Sequence, residues 1–282
     1  MPTHKRIGEN MKRYGLGLVV GALGLSIASV AMGYSAEYVP GAGINGTPHD
    51  LGTPGANGMN YAADPADPLR RICIFCHAPH LTYRLAGTVG GGIEAPPEYD
   101  YLPLWNHRLP DVSVAYTMYD NGPGAPQTGP TASQAILQGM TPGSTSLLCL
   151  SCHDGSLAVN AYGTGAAQTG CPTASNGTDL ISPCYRIGEF GYLGNHHPIG
   201  FNYDSVQSAD PDTGGGIRPA DGAMLTPTTF VRDHLYGDAR MECGTCHAVH
   251  NAGNTGERLL WRSDQNSELC LTCHAKGMYR AP

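Results

Sequence analysis

Apolar residues are spread unevenly along the chain. One long run, from Gly15 to Gly33, follows Lys5, Arg6, Lys12 and Arg13, and the small residues Ala31 and Gly33 close it before Tyr34. A basic flank, an apolar stretch and a small-residue end are the order of a secretion signal, so residues 1–33 are expected to be removed and the chain exported. The run is just long enough to span a bilayer as an uncleaved anchor, but its Gly, Ala and Ser content favours cleavage. Beyond it, Gly, Pro and Asn interrupt the pattern. Residues 34–72 read as an extended, looping arm, and 81–103, 110–130 and 155–194 as long loops. Helices are expected to be few and short. Ser144 or Thr145 begins one that runs into Cys152 and ends at Gly155. Thr131 or Ser133 begins another through Gln138, and Ser267 begins the last, ending at Gly277. Pro79 ends the turn after His77. The expected fold class is mostly coil with a few short helices.

Four short segments repeat one pattern: Cys73-Ile74-Phe75-Cys76-His77, Cys149-Leu150-Ser151-Cys152-His153, Cys243-Gly244-Thr245-Cys246-His247 and Cys270-Leu271-Thr272-Cys273-His274. This Cys-x-x-Cys-His spacing is the attachment signature of c-type haem. On a helical turn, positions i, i+3 and i+4 share one face. Both sulfurs can therefore form thioethers with one porphyrin, and the imidazole becomes the proximal iron ligand. Zinc would need such motifs to close a tetrahedron in pairs. Four copies, each ending in His, favour four covalent haem groups.

The first and third motifs continue alike, as His77-Ala78-Pro79-His80 and His247-Ala248-Val249-His250. The second and fourth share Leu148-Cys149-Leu150 and Leu269-Cys270-Leu271. The only two tryptophans, Trp105 and Trp261, fall between the members of each pair. This order reads as an internal duplication of a two-haem unit. One half spans about 34–153, the other about 195–282, with a loop insertion at 155–194, all within a domain of residues 34–282.

Composition changes the picture of the core. The chain holds 39 Gly and 22 Pro but only four Phe and two Trp, too little apolar bulk for an ordinary interior. Large flat cofactors would supply it. The whole chain carries a formal charge of −7. Losing residues 1–33 removes four bases and Glu9, which takes it to about −10 and makes nucleic acid an unsuitable partner. Lys276 is the one lysine that remains; the other bases are arginines, whose planar fork suits carboxylates such as haem propionates. Two cysteines lie outside the motifs, Cys171 and Cys184. In an exported chain their simplest state is a disulfide across the loop Pro172 to Pro183.

Of twelve histidines, His4 leaves with the signal and four are proximal ligands. Seven remain for four sixth positions, so every iron can be bis-histidine and low-spin. Five are candidate distal ligands: His49, His80, His107, His197 and His250. His80 and His250 lie too close to their own proximal histidine to reach over the same haem, so each would serve a neighbouring one. His196 stands behind His197, and His234, beside Arg232 and Asp233, is expected at the surface.

The segments around His49, Cys76–His80, Trp105–His107, Cys149–His153, Asn195–Gly200, Cys243–His250 and Cys270–His274 resemble the exported doubled-CxxCH multihaem c-type cytochromes. Within them the chain is most similar to the filament-forming tetrahaem outer-membrane cytochrome E type. The resemblance implies electron transfer and not catalysis, with no catalytic residues. It implies head-to-tail self-assembly into extracellular filaments, other multihaem cytochromes as donors and extracellular acceptors such as metal oxides. It also implies one haem completed by a histidine of the neighbouring subunit. His49, on an arm with little to fold against, is the expected linking ligand, and His107 the next. A monomeric periplasmic shuttle or a haem subunit of a membrane redox complex is the alternative. A multihaem oxyanion reductase is a second one, disfavoured because every motif is intact.

Overall fold

The structure is a computed structural model that describes residues 39–51, 71–85, 92–111, 115–119, 140–159, 161–162, 180–181, 185–212, 215–254, 259–279 and 281–282. The signal segment, the helix expected from Thr131 or Ser133 to Gln138, Cys171 and Cys184 lie outside these residues. The chain divides into residues 1–35 and residues 36–282, and only the second unit is described below. Regular structure is sparse, as its composition dictates. Among the described residues, α1 (Ser144–His153), α2 (Tyr203–Ala209), α3 (Cys243–Cys246) and α4 (Glu268–Cys273) are the α-helices. None is long and apolar enough to cross a membrane. Among the same residues, six strands of two or three residues pair two by two. β1 (Tyr83–Arg84) runs parallel to β2 (Ile93–Glu94). β3 (Phe201–Asn202) is antiparallel to β6 (Arg240–Met241), and β4 (Met224–Thr226) to β5 (Thr229–Phe230). The fold is mostly coil with a few short helices.

Helix boundaries differ from expectation at their caps. α1 begins at Ser144, but the N-cap is Gly143, which has no side chain to offer. The Ser144 hydroxyl turns instead to the Asp100 carboxylate. Gly155, at φ +73°, follows the end of α1 as expected. Ser267 sits at the N-cap of α4 in the left-handed region, φ 61°, and its side chain does not cap. That helix stops at Cys273, short of Gly277. The reason is tertiary: His274 turns extended and bridges Ile217, while Arg218 N–H donates to Cys273 O at 2.8 Å.

The first and third motifs fold alike. A 3-10 turn, Ile72–Phe75, carries the first, and α3 carries the third. In each, the histidine N–H returns to the carbonyl of the first cysteine, at 2.7 Å for His77 and 3.1 Å for His247. The histidine then bridges a partner segment, His77 to Trp105 and His247 to Leu260. Asn106 N–H donates to Cys76 O at 2.8 Å, and Trp261 N–H to Cys246 O at 3.0 Å. Leu104 and Leu259 match as well, at φ 53° and 62°. This register corrects the pairing of the tryptophans suggested by the sequence: Trp105 corresponds to Leu260, and Trp261 to Asn106.

Among the described residues, side chains form three modest apolar clusters. One surrounds Phe201, Tyr203, Leu225, Val231 and Met241. A second joins Tyr99, Trp105 and Leu193 to the α1 residues Leu147, Leu148 and Leu150. The third sets Phe75 edge-on to Tyr162, with Val159 and Ile181.

The described start of the arm, residues 39–51, is better anchored than its composition suggests. Asn251, 1 % exposed, donates from Nδ2 to Val39 O and Gly43 O at 2.8 Å each and accepts Gly41 N–H on Oδ1 at 3.2 Å. Its carbonyl accepts Gly43 N–H at 2.8 Å, and Asn254 Oδ1 takes Gly41 N–H at 3.1 Å. A Gly-rich strand costs entropy to order, and these backbone-directed amide bonds offset it.

Candidate haem-binding site

The motif cysteines lie in a continuous run. Cys76 lies beside Cys152, Cys149 is within hydrogen-bonding reach of Cys243, and Cys246 lies beside Cys273. The four motifs thus adjoin in the order first, second, third, fourth. Burial pushes the thiols of Cys76, Cys152 and Cys246 up to about 12 and raises Cys273 in the same way. Cys149 is also raised, first by its bond with Cys243, which is lowered by that bond. A thioether sulfur carries no charge, so attachment to haem suits this burial.

Histidines from distant parts of the chain meet in pairs. His77 faces His250 with ring centres 6.0 Å apart, His49 faces His153 at 6.1 Å, and His197 faces His274 at 6.3 Å. Each pair joins one proximal histidine to one candidate distal histidine. Two imidazoles bonded to opposite sides of one metal at about 2 Å each hold their centres roughly 6 Å apart. The residues present therefore fit an axially ligated haem at three motifs.

The ring nitrogens fit as well. A ligating histidine anchors one nitrogen on a carbonyl and turns the other to the metal. His77 Nδ1 donates to Pro103 O (2.6 Å), His153 Nδ1 to Tyr185 O (3.1 Å) and His197 Nδ1 to Pro198 O (2.9 Å). His49 Nδ1 lies 3.4 Å from Val249 O, and His247 is bonded to the Leu259 backbone. Burial lowers the pKa of His77, His153 and His274. Burial, then the neighbouring His153, brings His49 down to about 4. In these four the shift favours the neutral form that a metal requires.

The remaining histidines are placed differently. His107 is fully buried, with Nδ1 2.9 Å from Arg108 O and Nε2 2.9 Å from Ala158 O, and Cys152 Sγ is 3.4 Å from that Nε2. Both of its nitrogens are engaged. His196 Nε2 accepts Gly188 N–H at 3.5 Å. His234, expected at the surface, instead packs edge-on against Trp261 at 4.5 Å with its Nε2 on Thr229 Oγ1 (2.7 Å). His80 and His247 are exposed.

Several supporting residues escaped the sequence reading. Trp261 Nε1 donates to Gly244 O at 2.9 Å, and Asn106 Nδ2 donates to Ile74 O at 2.8 Å. Both satisfy the carbonyl just after the first motif cysteine. Arg218 donates to Leu271 O and Gly277 O around the last motif. Glu242 links the second and third motifs. Only its place next to Cys243 could have drawn attention to it.

Residues 238–279 match the family model of the doubled CXXCH motif. No curated protein matches the chain. The matched stretch holds the third and fourth motifs, and it supports a multihaem c-type cytochrome that binds haem covalently and transfers electrons.

Proposed function

We propose that the chain binds four haem groups through Cys73/Cys76, Cys149/Cys152, Cys243/Cys246 and Cys270/Cys273, and works as an electron carrier without substrate chemistry. The observation that carries this reading is the meeting of His77 with His250, His49 with His153 and His197 with His274 at 6.0, 6.1 and 6.3 Å. Bound haem supplies a one-electron couple at each motif. The protein's part is to saturate each iron with two imidazoles, hold their tautomers through backbone carbonyls and set neighbouring motifs edge to edge. Saturation leaves no iron face for a substrate, which opposes the reductase reading.

The shared tail of the first and third motifs assigns the fourth distal position. His250 reaches the first-motif histidine, so His80, at the equivalent place, completes the haem of His247. This keeps His49 within its own chain and gives His107 a structural role. Export to the cell surface and head-to-tail polymerisation remain part of the proposal, supported by the signal-like segment and the family resemblance. His80 and His247 are both exposed, so the bond between copies runs through them. Multihaem cytochromes are the donors in this reading and metal oxides the acceptors.

The test is the spin state of the purified holoprotein. Pyridine haemochrome should return about four haems per chain from the motif count, all low-spin by EPR. His49→Ala, His197→Ala and His250→Ala should each turn one haem high-spin, and His107→Ala none. A variant that stays fully low-spin removes that histidine from the assignment. Electron microscopy of His80→Ala should show particles in place of filaments, with one high-spin haem. Intact low-spin filaments would refute the link.

A further inference from the structure

We propose that Glu242 is a positioning residue that fixes the second and third haem motifs against each other. The inference rests on the four-haem reading above.

Glu242 is 2 % exposed and immediately precedes Cys243. Its carboxylate serves the other motif. Oε1 and Oε2 each lie 3.1 Å from the backbone nitrogen of Gly143, the N-cap of the helix carrying Cys149, Cys152 and His153. Oε2 also accepts from the Ser146 hydroxyl in the first turn of that helix. The first backbone N–H groups of a helix have no internal partner, and a negative group there is favoured by the helix dipole. Gly143 has no side chain with which to cap, so a residue 99 positions away does it.

The bridge runs back in the other direction as well. Ser146 Oγ accepts Cys243 N–H at 3.0 Å, which ties the start of α3 to the first turn of α1. Glu242 N–H donates to Thr245 Oγ1 at 3.0 Å and holds α3 in its turn. Arg240 Nε, at 3.2 Å from Oε1, balances the charge, while Arg240 also donates to Thr141 O at 2.7 Å. At the end of this ladder the thiols of Cys149 and Cys243 come within hydrogen-bonding reach. When both carry porphyrins, two porphyrin edges meet there. The carboxylate therefore decides the separation and angle at one junction, that between the two halves of the duplicated chain. Space confirms the fit: a Cβ at Gly143 would collide with the Glu242 carboxylate.

The experiment uses holoprotein bearing Glu242→Ala, Glu242→Gln, Ser146→Ala or Gly143→Ala. It reads haem count, Soret circular dichroism and potentiometric titration. Fewer than four haems in the wild-type protein would sink the cytochrome reading and this inference with it; the haem count tells that failure apart from one of the inference alone. With four haems in place, Glu242→Ala should diminish the Soret exciton couplet and shift two of the four midpoint potentials, while spin states stay low. Gly143→Ala, which leaves every charge in place, should reproduce the couplet change. Glu242→Gln, which keeps an acceptor for Gly143, should restore most of it. If Glu242→Ala fails to mature, Ser146→Ala carries the same expectation. Unchanged couplet and potentials in both Ser146→Ala and Gly143→Ala would overturn the proposal.

Discussion

Trp261 and Asn106 perform the same task at the third and first motifs. Each donates a side-chain N–H to the carbonyl that follows the first motif cysteine, Trp261 to Gly244 at 2.9 Å and Asn106 to Ile74 at 2.8 Å. An indole and an amide thus close the same turn. Trp105 sits one register position away in a different setting. Its indole nitrogen is buried and, among the described residues, has no partner.

This register gives a direct comparison. Trp261→Phe removes a hydrogen bond at a cost of about 1 kcal/mol and should lower Tm by roughly 2–4 °C. Trp105→Phe removes no such bond and should cost less in the same calorimetric scan. Equal losses in the two variants would mean that packing alone, and not the bond to Gly244, holds the third motif.

Asn251 controls the arm. Asn251→Ala deletes three side-chain bonds to Val39, Gly41 and Gly43, at a cost of about 1–3 kcal/mol in local stability. Amide exchange over residues 41–51 should quicken, and a fraction of one haem should become high-spin as His49 leaves His153. Wild-type protection in the arm would show that other contacts hold it.

The pH dependence of stability should carry a contribution from Glu242. Burial raises its pKa above the ordinary carboxylate value of 4.5. A carboxyl with a raised folded pKa contributes stability that is fully present below the unfolded value and lost as pH rises through the folded one. Glu242→Gln does not titrate. Chemical denaturation from about pH 4 to about pH 7 should therefore show the variant gaining on the wild type as pH rises. A constant difference would mean that its partners hold the carboxylate at its ordinary value.

The disulfide between Cys171 and Cys184 is tested by peptide mapping without reductant. A linked peptide pair is expected. Reduction should cost about 3 kcal/mol at most for so short a loop and leave the haem spectrum unchanged. Two free thiols in the native protein would remove the bridge.

The covalent chemistry was legible in the sequence because it is local. Two cysteines and a histidine within five residues share one face of a turn whatever surrounds them, so Cys73 to His77 and its three counterparts announce their cofactor unaided. The scarcity of regular structure was legible too, since Gly and Pro act residue by residue. Tertiary structure decided the rest. Nothing near His77 in the chain points to His250, and nothing near Gly143 points to Glu242, because those partners are chosen by chain paths and not by spacing. The same cause explains the tryptophans. Similar letters, Leu104-Trp105 and Leu260-Trp261, land one residue apart in register because backbone bonds to Cys76 and Cys246 set the alignment. By sequence His107 and His49 were both candidate distal ligands, with His49 the expected link to a neighbouring copy. Burial between two carbonyls committed the first to the protein, and a bond to Val249 aimed the second at His153.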